Sequence, residues 1–215
     1  PVRGGSVLAA GYSLAGSTPD TWLLRGQTWK QLATTGIPST PTGTAPLLAN
    51  DPGRGVTVFS GAFSTLRLGE SGWAGISGSN GLGGNSVLVS AFDAGRGGIV
   101  ALTGASPSLS IFDGTRWSII PGITVQGPVG DMSSVAMEYD PVRGKVVVTG
   151  GQNSRVTAVL SGTVWTLLAS PGAPAQTGWW GPNMVYDPGR GGLVCFGGFS
   201  ALLPNGSTYA WPDGT

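Results

Sequence analysis

The feature that most limits how this chain can fold is a turn that keeps returning. Asp51-Pro52-Gly53-Arg54-Gly55 comes back as Asp93-Ala94-Gly95-Arg96-Gly97, Asp140-Pro141-Val142-Arg143-Gly144 and Asp187-Pro188-Gly189-Arg190-Gly191, with Pro1-Val2-Arg3-Gly4 as a beheaded fifth copy. The arginines recur every ~42 to 51 residues, the spacing of a repeat architecture in which each unit buries its apolar faces against its neighbours.

Every copy carries the same local signals in the same order. A short apolar strand A precedes the turn, as in Ser134-Val135-Ala136-Met137-Glu138-Tyr139 or Asn183-Met184-Val185-Tyr186. A β-branched strand B follows, such as Lys145-Val146-Val147-Val148-Thr149, and ends at a small pair: Ala10-Gly11, Gly61-Ala62, Thr103-Gly104, Gly150-Gly151 or Gly197-Gly198. Strand C comes next, for example Leu109 to Phe112 or Thr157 to Leu160, then a Gly/Thr-rich turn and a strand D opened by Trp29, Trp73, Trp117 or Trp165. Short strands between turn residues, without a helical period, predict an all-β chain. In the turn, proline presets φ, glycine accepts a positive φ, and the aspartate side chain can take hydrogen bonds from the backbone. The small pair permits close approach of neighbouring strands, and the tryptophan supplies a large apolar area for packing between repeats.

Together these motifs resemble the kelch family in its bacterial form, with Tyr-Asp-Pro-x-Arg-Gly, Gly-Gly and Gly-Thr-x-Trp in fixed order along essentially the whole chain. Two departures are visible: the double glycine is intact in two copies only, and Asp93-Ala94 lacks the proline. The resemblance implies a β-propeller of four-stranded antiparallel blades. About five repeats are expected within a single domain over 1–215, beginning near Pro1, Thr44, Asn85, Ser133 and Gly181, with the first and last incomplete. Kelch-type rings usually have six or seven blades. The chain is therefore expected to be a fragment of a longer protein, or a five-bladed ring whose incomplete blades another segment or another chain completes.

Composition narrows the function. Lys plus Arg number 11 against 10 Asp plus Glu, so the net charge is +1 and no strong field would attract a nucleic acid or an anionic membrane. The isolated Arg25, Arg67, Arg116 and Arg155 do not interleave with aromatic residues as a nucleic-acid groove requires. No apolar run is long enough for a membrane helix. The first residues look like the middle of a repeat rather than a signal peptide, so the native N-terminus is expected outside this numbering. Low charge and many Ser, Thr and Gly suit an exported bacterial protein, extracellular or at the cell surface.

Histidine is absent, so histidine-ligated metals and Ser-His-Asp or Cys-His catalysis are excluded. Only Glu70 and Glu138 are glutamates, and half of the aspartates stand in the repeated turn, which leaves no catalytic carboxylate spacing. The single cysteine, Cys195, lies in the strand B run Leu193-Val194-Cys195-Phe196 and reads as a buried hydrophobe rather than a nucleophile. No catalytic residue, metal or cofactor is expected.

In an up-and-down blade the A–B and C–D turns share one side, and the B–C and D–A loops share the other. The second set varies most, over Ser13 to Asp20, Ala33 to Pro46, Pro121 to Ser133, Ala169 to Pro182 and Phe199 to Ser207, and variable loops on a rigid scaffold are where recognition is expected. Trp179 and Trp180, beside Gln176, could stack on a sugar or anchor a protein contact, or cap the core at the start of strand A. Asn205, Asn153 and Asp20 are candidate secondary polar contacts. The expected function is a non-catalytic binding or assembly module with a protein or glycan partner. The alternatives are a fragment of a carbohydrate-active propeller enzyme and a structural subunit of a larger complex.

Overall fold

The computed structural model describes residues 5–13, 16–32, 47–60, 64–69, 72–80, 82, 87–103, 108–126, 134–151, 156–168, 179–200, 203–204, 206 and 208–211. Among them every regular element is a β-strand, and the fold is an all-β propeller of antiparallel blades. The first blade is β1 (Ser6–Ser13), β2 (Gly16–Arg25) and β3 (Thr28–Leu32). The second is β4 (Leu47–Asp51), β5 (Val56–Ser60), β6 (Ser64–Gly69) and β7 (Gly72–Asn80). The third is β8 (Val87–Asp93), β9 (Gly98–Thr103), β10 (Ser108–Phe112) and β11 (Trp117–Ile119).

The fourth blade adds a strand to the common plan. Its sheet runs β12 (Thr124–Gln126), β16 (Val164–Leu167), β15 (Val156–Ser161), β14 (Lys145–Gly150) and β13 (Val135–Asp140). β12 belongs to the connection from the third blade and lies parallel to β16, covering an edge that would otherwise present unpaired backbone groups. Part of the connection expected as a free loop over Pro121 to Ser133 is therefore sheet. A two-residue strand, β17 (Trp179–Trp180), precedes the fifth blade, which is built from β18 (Asn183–Asp187), β19 (Gly192–Phe196) and β22 (Thr208–Trp211). Between its second and third strands lie β20 (Phe199–Ser200) and β21 (Leu203–Pro204), which form a small sheet with β17.

The chain divides into two compact units, Pro1–Val87 with Phe112–Ser118, and Leu88–Ile111 with Ile119–Thr215. In the first unit Leu66, Leu68 and Trp73 of the second blade pack against Val7, Ala9 and Leu32 of the first. In the second unit a larger cluster joins Ala91, Val100, Leu102 and Leu109 of the third blade to Met137, Val146, Val148, Leu160 and Trp165 of the fourth. A third cluster joins Val147 and Val159 to Leu193, Met184 and Tyr186 of the fifth. Alternation explains the pattern: residues two apart on a strand share a face, so each blade sends one row back to the preceding blade and the other forward to the next.

The recurrent turn has a uniform construction. Each aspartate takes the arginine backbone N–H on Oδ1 and the arginine side chain on Oδ2. The residue after the arginine, Gly55, Gly97, Gly144 or Gly191, has φ between 63° and 66° in every copy, a left-handed conformation that a side chain disfavours. Asp51, Asp93 and Asp140 are buried, so their charges are stabilised by pairing and by backbone donors rather than by water.

Candidate functional site

Two side-chain devices join successive blades. The Trp73 indole Nε1 of the second blade donates to Thr21 Oγ1 of the first at 2.8 Å, and Trp117 Nε1 donates to Thr65 Oγ1 at 2.9 Å, each bond spanning 52 residues. The strand C threonine that stands about eight residues before its own blade's strand D tryptophan is thus the acceptor for the tryptophan that opens strand D one blade later. The corresponding residue of β10 is Leu109, and the next tryptophan, Trp165, is fully buried with no acceptor for its Nε1 among the described residues. The second device is the arginine of the turn. Arg96 pairs with Asp93 and also donates through Nη2 to the Gly162 carbonyl in the C–D turn of the fourth blade. Arg54 lies against the corresponding Gly114, where a Cβ would collide with its Nε.

Each of these arginines holds its own turn, and Arg54 and Arg96 also reach the C–D turn of the following blade. Exposed Asp113, in the turn beside Gly114, accepts from Thr115 Oγ1 at 2.6 Å and from the N–H groups of Thr115 and Arg116, which lowers its pKa to about 2. Burial pushes the Cys195 thiol up to about 12, the expected state of a small core residue. Burial also raises the Glu138 carboxyl above its ordinary value, opposed by the Tyr139 N–H that Oε1 accepts at 2.9 Å. Glu138 occupies the strand A position that is Ala49 in the second blade and Ala91 in the third.

Among the described residues the loop side is most elaborated at the fifth blade. Its preceding D–A connection supplies β17 and its B–C connection supplies β20 and β21, with Trp179 paired to Ser200, Trp180 to Phe199, and Phe199 also to Pro204. The Gly181 N–H donates to the Ser134 carbonyl at 2.9 Å, tying the end of this sheet to the start of the fourth blade. Gly181 and Ser134 occupy corresponding positions and share a left-handed backbone, with φ of 58° and 62°. Phe199 is exposed.

The backbones of Trp179 and Trp180 thus lie in a sheet built from both connections of one blade. Gln176, Asn153 and Asn205 lie outside the described residues. Asp20 is a residue of β2, where its Oδ2 accepts the Trp22 Nε1 hydrogen at 2.7 Å, and the connection expected as a loop from Ser13 is a hairpin that pairs Ser13 with Gly16. Sequence reasoning missed the tryptophan-to-threonine bonds. The signal was the strand C residue at a fixed spacing before each strand D tryptophan, Thr21, Thr65 and Thr157, with Thr208 at the corresponding place in the fifth blade and Leu109 as the exception. No group of three or more metal-binding side chains occurs among the described residues, and no helix there is long and apolar enough to cross a membrane.

No family model matches the chain, and no curated protein does. Among solved structures it is similar to one titled YjhT, at 15% identity and a TM-score of 0.53, covering 87% of this chain and 68% of that one. It is also similar to the major allergen Mala s 1 of Malassezia sympodialis, at 15% identity and a TM-score of 0.48, over 88% of this chain and 66% of that one. A third is an auxiliary nutrient binding protein from Bacteroides ovatus, at 9% identity and a TM-score of 0.49, over 94% and 56%. The first likeness is one of fold alone.

Proposed function

We propose that this chain is part of an extracellular, non-catalytic, kelch-like propeller, and that it recognises a protein or a glycan through the side that carries its B–C and D–A connections. The observation that carries this reading is the small sheet at the fifth blade. Two connections that a minimal blade would keep short are folded together there, and they bring the tandem tryptophans beside the exposed Phe199 segment. Aromatic residues on a rigid support suit stacking on a sugar ring or anchoring a protein side chain. The opposite side is occupied by the aspartate–arginine turns, whose polar groups are engaged within and between blades. Low charge with abundant Ser, Thr and Gly supports an exported protein.

The test is binding to a glycan array, repeated with Trp179→Ala and Trp180→Ala. The reading expects a defined oligosaccharide to bind and its affinity to fall about tenfold or more in at least one folded variant. A folded chain that binds no glycan but captures a protein through the same tryptophans selects the protein partner. Binding indifferent to both tryptophans contradicts the proposed site.

A further inference from the structure

The register of the small sheet at the fifth blade separates the tandem tryptophans. Trp180 pairs with Phe199 and Phe199 with Pro204, whereas Trp179 pairs with Ser200 and Ser200 with Leu203. Residues directly opposite one another share a face of a sheet, and successive residues of a strand take opposite faces. One face therefore carries the row Trp180, Phe199 and Pro204, three ring-bearing residues on three adjacent strands, and the other carries Trp179, Ser200 and Leu203. With strands about 4.8 Å apart, the row spans roughly 10 Å from the first strand to the third.

The charge pattern is a second, independent observation. No Asp, Glu, Lys or Arg occurs between Arg155 and Asp187, or between Arg190 and Asp213, so both connections that build the sheet are uncharged. Asp187 and Arg190 pair with each other in the A–B turn, at the other end of the fifth blade's first two strands. The polar side chains of the two connections are hydroxyls and amides, among them Gln176, Thr177, Asn205 and Ser207. An acidic sugar needs a cationic partner for its carboxylate, and protein interfaces enrich arginine beside their aromatic residues. A neutral sugar needs neither. Its C–H face stacks on flat rings, and its hydroxyls both donate to and accept from amides and hydroxyls.

We infer that the sheet binds a neutral hexose oligosaccharide along the row of Trp180, Phe199 and Pro204, and that Trp179, on the other face, is not the residue that meets it. The inference rests on the reading that the tandem tryptophans meet a partner, and it adds the class of that partner and the face it uses. A row about two strand spacings long accommodates more than one sugar ring, so affinity rises from monosaccharide to trisaccharide.

The test is binding of the 215-residue chain to a panel of immobilised sugars. Neutral glucose, galactose and mannose oligomers are set against acidic ones that carry uronic or sialic acid, at low and at high salt. Trp180→Ala, Phe199→Ala and Trp179→Ala are compared, each verified as folded by circular dichroism. The expected result is binding to a neutral oligomer that weakens about tenfold or more in Trp180→Ala and in Phe199→Ala, changes little in Trp179→Ala, and changes little with salt. If Trp180→Ala does not fold, Phe199→Ala alone decides. A preference for acidic oligomers, binding that falls steeply with salt, or a loss in Trp179→Ala as large as in Trp180→Ala overturns the inference and leaves the tryptophan site standing. Failure to bind any sugar on the panel, with a protein captured through the tryptophans instead, does the same. Sugar binding indifferent to all three substitutions overturns both this inference and the site on which it rests.

Discussion

The interface between the first and second blades and the interface between the third and fourth solve one problem in two ways. Each presents a strand D tryptophan to the blade before it. In the first case Trp73 finds Thr21, and a small apolar cluster of Leu66, Leu68 and Trp73 suffices beside that hydrogen bond. In the second, Leu102 and Leu109 stand where the second blade has Ser60 and Thr65, whose hydroxyls lie 3.1 Å apart, and Trp165 is buried with no acceptor for its N–H among the described residues. A buried unsatisfied donor costs about 1–3 kcal/mol. The apolar cluster around Trp165 is the larger of the two, and burial at roughly 25 cal/mol per Å² of apolar surface offsets a cost of that size. Repetition conserves the geometry of the joint while leaving its chemistry free to vary between hydrogen bonding and packing.

The most severe way to break the apolar joint is to remove its centre. Trp165→Ala should destabilise the protein by about 3–5 kcal/mol, as a fully buried aromatic truncation does, read by chemical denaturation. Replacing indole by benzyl then separates the two joints. Trp73→Phe removes a made hydrogen bond and leaves Thr21 with an unmet hydroxyl, for about 1–2 kcal/mol beyond the lost ring volume. Trp165→Phe discards a donor that has no partner among the described residues, so it should cost less than Trp73→Phe in the same assay. Equal losses would mean that the hydrogen bond contributes nothing at the first joint.

The next interface carries a carboxylate where two other copies have alanine. Burial raises the Glu138 carboxyl, so its contribution is fully favourable below the unfolded carboxylate range, near pH 4, and is lost as pH rises through the higher folded value. Glu138→Gln should therefore stabilise at neutral pH by about 1 kcal/mol or less, with the gain vanishing below about pH 4. A gain that persists in acid would contradict burial of the charge as its cause. The smallest effect belongs to Ser134, which holds the left-handed backbone that Gly181 holds one blade later. Ser134→Gly should be neutral or stabilising by up to about 1 kcal/mol in thermal melting, whereas Gly181→Ser should destabilise.

The blades were legible in the sequence because their determinants are local and repeated: the aspartate–arginine turn, the β-branched strand B and the tryptophan of strand D. Expected and observed strand limits agree closely, as in Lys145–Gly150 and Asn183–Asp187. The aspartate that seemed to start each turn instead closes strand A, because its side chain caps the turn while its backbone stays in the ladder. What escaped notice is non-local. β12 adds to the fourth blade by parallel pairing, which leaves no local turn signal, and β17 pairs with a segment in the next connection. Asp20 read as the end of a loop that begins at Ser13, yet the tight hairpin at Ser13 and Gly16 draws it into strand C. The tryptophan pairing was present as a pattern of threonines, but it acquires meaning only when the strands of two blades are set side by side.

The account turns on whether the strand C residue at the Thr21 and Thr65 position decides the state of the tryptophan one blade later. The direct measurement is a double-mutant cycle at the third joint, pairing Leu109→Thr with Trp165→Phe and reading unfolding free energies by denaturant titration. A threonine at 109 should serve as the missing acceptor, so Leu109→Thr should cost less with Trp165 in place than with phenylalanine at 165, a coupling of about 1 kcal/mol. Additivity within about 0.3 kcal/mol would contradict it, showing that the indole N–H is indifferent to the hydroxyl that the other joints provide.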